Sequence, residues 1–144
     1  MALLDRAKEE VRAEIYEVEV IRASVREVFE AMTNARIIDE WGAGPSRFQA
    51  RPGGKFFLWD GEMFGMVCEV QAPVRIVYTL REHWWDPDWK DSMVCWTLKE
   101  VDRGTELTLS HSGLPGRKVR EAHRDGWGEY FLGPMKAYLE YSRS

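Results

Sequence analysis

The 144 residues are 44% hydrophobic and 31% charged, with 20 Lys and Arg against 24 Asp and Glu for a formal net charge of -4. That acidic balance, without a basic run, lacks the electrostatic footprint of a nucleic-acid binder, and no apolar run approaches the roughly 20 residues of a membrane span. A chain this long buries roughly 70% of the surface its unfolded form exposes and needs no disulfide or metal to hold it. Its heavy load is aromatic: seven Trp, five Tyr and six Phe.

The opening "MALLDRAKEEVRAE" is charged and amphipathic and has no signal-peptide core. Residues 1-13 read as an N-terminal extension, and the expected compartment is the cytoplasm. "EIYEVEVIRA" alternates Tyr16, Val18 and Val20 with Glu17 and Glu19, the period of a half-buried strand. Ser24 and Glu27 then stand at capping-box spacing and start a helix with Val25, Val28, Phe29 and Met32 on its apolar stripe. "ARIIDEWG" predicts a second short helix that ends at Trp41 before Gly42.

From Phe48 to Ser112, apolar segments are separated by the turn signals "RPGG", "DGE", "QAPV" and "VDRG" and by the loop "REHWWDPDWKDS", which predicts an antiparallel meander. Alternation places Phe64, Met66, Cys68 and Val70 on one face, followed by Ile76, Tyr78 and Leu80, then Val94, Trp96 and Leu98, then Leu107, Leu109 and His111. Cys68 and Cys95 would then lie two strands apart, roughly 9 to 10 Å, beyond disulfide reach. After "SGLPG", residues 118-142 lose strand alternation and carry Val119, Ala122, Trp127, Tyr130, Phe131 and Tyr138 at helical spacing. The predicted helix is roughly 37 Å long, with a kink at Pro134 after Gly133. No linker or repeat divides the chain, so 1-144 reads as one domain.

This order of elements resembles the START-like helix-grip superfamily (SRPBCC), and within it the homologues of the domain that activates the ATPase of the ninety-kilodalton heat-shock chaperone. "ASVREVFEAMTNARIIDEW", "PGGKF", "GMVCEVQAPVRIVYTL", "GTELTLSHSGLP" and "HRDGWGEYFLGPMKAYLE" carry the resemblance across residues 15 to 140. It implies an α+β fold of β-α-β6-α order, a curved antiparallel sheet wrapped around the long C-terminal helix with an internal cavity between them. It also implies a possible chaperone partner and a stress-related role through the outer surface. About a dozen residues precede the first strand, where the co-chaperone has a separate domain, so no ATPase stimulation is expected. Gly128, Gly133 and Pro134 interrupt a helix that the family usually keeps unbroken.

Because alternate turns of a meander fall at opposite ends, the tryptophan loop, the turn at Gly61 and the exit after His111 should rim one mouth. Trp84, Trp85 and Trp89 are then candidate lid residues, with core anchoring as the alternative for one or two of them. Trp41, Phe64, Met66, Tyr78, Trp96, Leu107, Leu109, Trp127 and Phe131 are candidate lining residues, with plain core packing as the alternative. His111 is the titratable group that strand parity places inside, as a ligand anchor, a general base or a satisfied core histidine. Glu82, His83, Asp86 and Asp88 lack the spacing of a zinc or calcium site, and no metal or cofactor is expected. There is no G-x-S-x-G, no oriented nucleophile and no phosphate loop, so no catalytic residue is assigned. The leading expectation is therefore non-enzymatic binding of a small lipophilic or aromatic molecule. A chaperone-associated protein and a cyclase- or hydrolase-like enzyme are the alternatives, and oligomeric state is not legible.

Overall fold

The computed structural model describes residues 13–142. Strand β1 (Ile15–Ile21) is followed by helices α1 (Val25–Thr33) and α2 (Ala35–Trp41), then by β2 (Arg47–Phe48), β3 (Lys55–Leu58), β4 (Met63–Gln71), β5 (Arg75–Glu82), β6 (Ser92–Val101) and β7 (Gly104–Ser112). The chain closes with α3 (Arg117–Gly126), a π-helical segment (Trp127–Leu132), α4 (Gly133–Ala137) and a last π-helical turn (Tyr138–Ser142). The strands form one antiparallel sheet in the order β1-β7-β6-β5-β4-β3-β2, the six-strand meander with the first strand added at its far edge. This is the helix-grip architecture. Among the described residues no helix is long and apolar enough to cross a membrane.

Local chemistry sets the helix pair. Ser24 Oγ accepts from Glu27 N and the Glu27 carboxylate accepts from Ser24 N, each at 3.1 Å, so two donors of the first turn are satisfied reciprocally. Helix α1 buries Val28, Phe29, Ala31 and Met32. Helix α2 stops at Gly42, whose φ of 117° suits a residue without a side chain. Trp41 is buried, and its indole N–H donates to Ala31 O at 2.8 Å, tying the end of α2 to α1.

Two strands depart from the expected parity. In β4 the ladder is regular from Met63↔Glu82 to Val67↔Tyr78 and then slips, so that Glu69 faces Val77 and Val70 faces Ile76. Cys68 is the extra residue, and a bulge reverses the in–out phase. Val70 lies inside as expected, but upstream of the bulge Val67 and Gly65 point in. Phe64, Met66 and Cys68 are therefore on the outer face and exposed. In β1, Ile15 and Ile21 are the inward anchors and Val18 and Val20 face solvent. Glu17 and Glu19 share the face of Leu109 and Leu107, and Glu19 meets Lys136 of α4 at 2.8 Å. An edge strand beside a helix flank has room for such a charged pair. Neither Cys68 nor Cys95 forms a disulfide.

The helix lies along the inner face of the sheet. Its buried residues Val119, His123, Trp127, Phe131, Met135 and Leu139 recur every four positions. Four residues advance about 400° in a 3.6-residue α-helix, so such a stripe drifts about 40° per step. The two π-helical segments widen the turn and keep the stripe on the sheet. Tyr130, expected inward, is exposed in the first of these segments and Ala122, also expected inward, is exposed on α3, while His123, Leu132, Met135 and Leu139 are buried. The expected break at Pro134 is absorbed the same way. Gly133 N donates to Gly128 O, five residues back, and the backbone stays right-handed helical at Leu132, Gly133 and Tyr138.

Where an internal cavity was expected, aromatic rings interlock. Trp96 stacks on Phe131 with centroids 5.2 Å apart, and Trp127 meets both rings edge-on at 5.3 and 5.2 Å. Leu107, Leu109 and Met135 complete the layer.

Candidate functional site

Open space begins at one end of this core. Pairing of Met63 with Glu82 and of Met93 with Ser112 brings the turn before β4, the tryptophan loop and the exit of β7 to the same end of the sheet. His83 N donates to Glu62 O at 3.0 Å across that end. Between it and the helix lies a cleft of about 360 Å³. Trp59, Met63, Trp127 and Tyr130 supply its apolar walls, Glu62, Glu82 and His123 its polar groups, and Ala122 and Gly126 the helix surface between them. The volume falls at the small end of the range for ligand pockets.

The turn that carries Trp59 is strained. Trp59 and Asp60 have φ of 47° and 57°, a left-handed conformation that costs a side-chain-bearing residue on the order of 1 kcal/mol or more. Two backbone bonds hold it, from Trp59 N to Ala43 O and from Asp60 N to Pro45 O, both 2.8 Å. The Gly42–Pro45 segment thus sets an indole at the rim of the cleft.

His111 sits behind the cleft, fully buried, with both ring nitrogens engaged. Trp127 Nε1 donates to His111 Nδ1 at 3.0 Å. Because an indole N–H is only a donor, Nδ1 must carry the lone pair and Nε2 the proton. Nε2 therefore donates to Ser92 Oγ at 2.8 Å, and Ser92 Oγ donates to Leu80 O at 2.7 Å. Burial, with a further contribution from the charge of His123, pushes the His111 pKa down to about 3. The ring is a neutral tie between helix and sheet, with neither nitrogen left for a ligand.

His123, one turn before Trp127, does face the cleft. Its Nε2 lies 3.0 Å from Glu82 Oε2, and its ring meets His111 and Trp85 edge-on at 5.3 and 5.9 Å. Burial raises the Glu82 pKa, but the hydrogen bond and charge of His123, with a further contribution from the Trp84 indole N–H, outweigh it and leave the carboxyl below its ordinary value. Glu82 is held as a carboxylate at the mouth. Among the described residues no group of three or more His, Cys, Asp or Glu is placed to hold a metal ion.

Of the residues expected at a ligand site, Trp127 lines the cleft. Trp41, Tyr78, Trp96, Leu107, Leu109, His111 and Phe131 lie in the core beneath it, where the Tyr78 hydroxyl accepts from Trp96 Nε1 at 2.8 Å. Phe64 and Met66 are on the opposite face of the sheet, for the reason given by the β4 bulge. Trp84, Trp85 and Trp89 form a triangle of edge-to-face contacts with centroids 6.5, 6.1 and 6.2 Å apart. Trp85 is buried against His123, Trp89 is half-buried and Trp84 is exposed. None of the three lines the cleft. The loop is anchored from below by Arg81, whose guanidinium donates to Trp89 O, Asp86 O and Asp91 Oδ1. Sequence reading missed Trp59, Glu62, Met63, Glu82 and His123 as lining groups. The four-residue stride from Val119 through His123 to Trp127 is the signal that could have found the histidine.

Comparison with known proteins agrees with this architecture. Residues 22–140 match the family described as Activator of Hsp90 ATPase homolog 1-like protein, and the chain belongs to that family. The human activator of 90 kDa heat shock protein ATPase homolog 1 is 25% identical over 123 residues, 85% of this chain and 36% of that protein. The chain thus spans about a third of the length of that curated relative. The crystal structure of an HSP90 activator from Plasmodium falciparum superposes with a TM-score of 0.79 at 26% identity, covering 87% of this chain and 94% of that one. DynU16, from the dynemicin biosynthetic locus, superposes with a TM-score of 0.75 at 25% identity, covering 89% of this chain and 47% of that one.

Proposed function

We propose that the chain binds a small aromatic or lipophilic molecule, without transforming it, in the cleft between Trp59, Met63, Trp127 and Tyr130. The observation that carries this reading is the strained turn at Trp59 and Asp60. Such strain persists where surrounding contacts enforce it, and it concentrates at ligand sites. Here it places an indole opposite the helix across about 360 Å³ of open space. That no transformation is proposed rests on His111, whose ring nitrogens are both occupied. Neither cysteine is in a disulfide, which suits a reducing compartment such as the cytoplasm.

The test is titration with an environment-sensitive apolar dye, followed by displacement with a panel of fatty acids, flavonoids and sterol-like compounds. Saturable binding at one site per chain with displacement is the expected result. No saturable binding by the folded protein removes the reading.

Membership of the Hsp90-activator-like family favours a second reading, in which a chaperone of the ninety-kilodalton class docks on the outer surface. Val18, Val20, Phe64, Met66 and Met93 leave apolar side chains exposed on the strands there. A several-fold rise in the chaperone's ATPase rate at micromolar protein would support it.

A further inference from the structure

We propose that the cleft selects a small organic cation with an aromatic face, a protonated amine held between indole and phenol rings and two carboxylates. The inference rests on the reading of the cleft as a small-molecule site and adds the sign of the ligand's charge.

Glu62 and Glu82 line the cleft, and among the described residues no Lys or Arg does. The cation next to Glu82 in sequence, Arg81, is turned into the tryptophan loop, where it serves two carbonyls and the Asp91 carboxylate at 3.0, 2.9 and 2.9 Å. It contributes no counter-charge to the cleft. Among the described residues His123 is the one basic group in the lining, and even as an imidazolium it offsets one of two carboxylates. Glu82 is held ionised by its neighbours, yet its side chain keeps 23% of its surface exposed beside the cleft. Glu62 is exposed on the rim.

The walls have matching chemistry. Trp59, Trp127 and Tyr130 present π systems, whose negative faces attract a cation within about 6 Å, tryptophan most strongly. An anionic ligand would meet those faces and both carboxylates with like sign. A neutral aromatic ligand would gain the apolar contact alone.

Three probes with one ring and three charges separate these cases: tryptamine, 3-methylindole and indole-3-acetate, each titrated into the full chain while amide and indole N–H shifts are recorded. Tryptamine should bind about five-fold or more tightly than 3-methylindole, indole-3-acetate most weakly, and the tryptamine advantage should shrink as salt is raised. Glu62→Gln, on the exposed rim, and Glu82→Gln should each reduce the ratio of tryptamine to 3-methylindole affinity, and a ratio unchanged in both variants would overturn the charge selection. If 3-methylindole or indole-3-acetate binds as tightly as tryptamine, the charge selection is wrong and the small-molecule site stands. If none of the three saturates, the site itself falls with it.

Discussion

The indole N–H of Trp127 donates to His111 Nδ1 at 3.0 Å and so fixes the tautomer of the buried histidine. Protonation of Nδ1 would break that bond and place an uncompensated charge in the core. Replacing His111 with Leu leaves a buried indole donor without a partner and removes the donor to Ser92. The expected cost is about 2 to 4 kcal/mol at pH 7, read by denaturant unfolding. An unchanged midpoint would mean that the tie between helix and sheet contributes nothing.

The same pair predicts a pH dependence. The folded pKa of about 3 lies below the ordinary 6.5, so between those values the unfolded chain takes up a proton that the folded chain refuses. The contribution of His111 is full above about pH 6.5 and falls by about 1.4 kcal/mol per pH unit as pH decreases toward 3. Unfolding measured at pH 7, 6, 5 and 4 should show this slope in wild type. It should be shallower by about that amount in His111→Leu.

Gly65 faces inward in β4, directly under Phe56. A methyl group there would lie 1.8 Å from Thr79 O and 2.8 Å from Phe56 Cε1, and the first contact is with backbone, which cannot rotate away. Gly65→Ala should destabilise by about 2 to 4 kcal/mol. A cost under about 1 kcal/mol would show that the strand shifts freely.

The tryptophan loop divides into an anchor and an exposed ring. Trp85 keeps 3% of its surface and Trp84 52%. Trp85→Ala should therefore cost about 3 to 5 kcal/mol, and Trp84→Ala less than about 1. Equal losses in thermal or denaturant unfolding would contradict the division.

Much of the fold was legible because its signals are local. Ser24 and Glu27 announce the helix start, turn residues space the strands, and the apolar runs of β5, β6 and β7 alternate without interruption. β4 was misread because a bulge at Cys68 is a pairing event between strands, with no mark in the strand's own residues. β1 was misread because Glu19 faces inward toward Lys136, which lies over a hundred positions away in sequence. The helix stripe was misplaced because 3.6-residue spacing was assumed where the chain widens to π-helical turns. The candidate site suffered most. His111 stood out by parity yet is saturated by Trp127 and Ser92, while His123 reaches the cleft from α3 and Trp59 through a left-handed turn.

Gly126 offers the most direct test of a ligand cleft at the mouth. It lines the cleft, its backbone is right-handed helical at φ -63°, and a side chain added there would first meet Tyr130 Cδ2 at 3.9 Å, an ordinary contact. Gly126→Leu should therefore project into the cleft and crowd it without a clash at Cβ, and should hold or raise stability by up to about 1 kcal/mol, since leucine is the better helix former. Titration of 3-methylindole into wild type and Gly126→Leu, followed by the indole N–H signals of Trp59 and Trp127, reads occupancy directly. Saturable shifts of both signals are expected in wild type, and binding weakened by about ten-fold or more in a variant that is folded and at least as stable. Equal saturable binding by the variant would contradict a ligand site in this cleft.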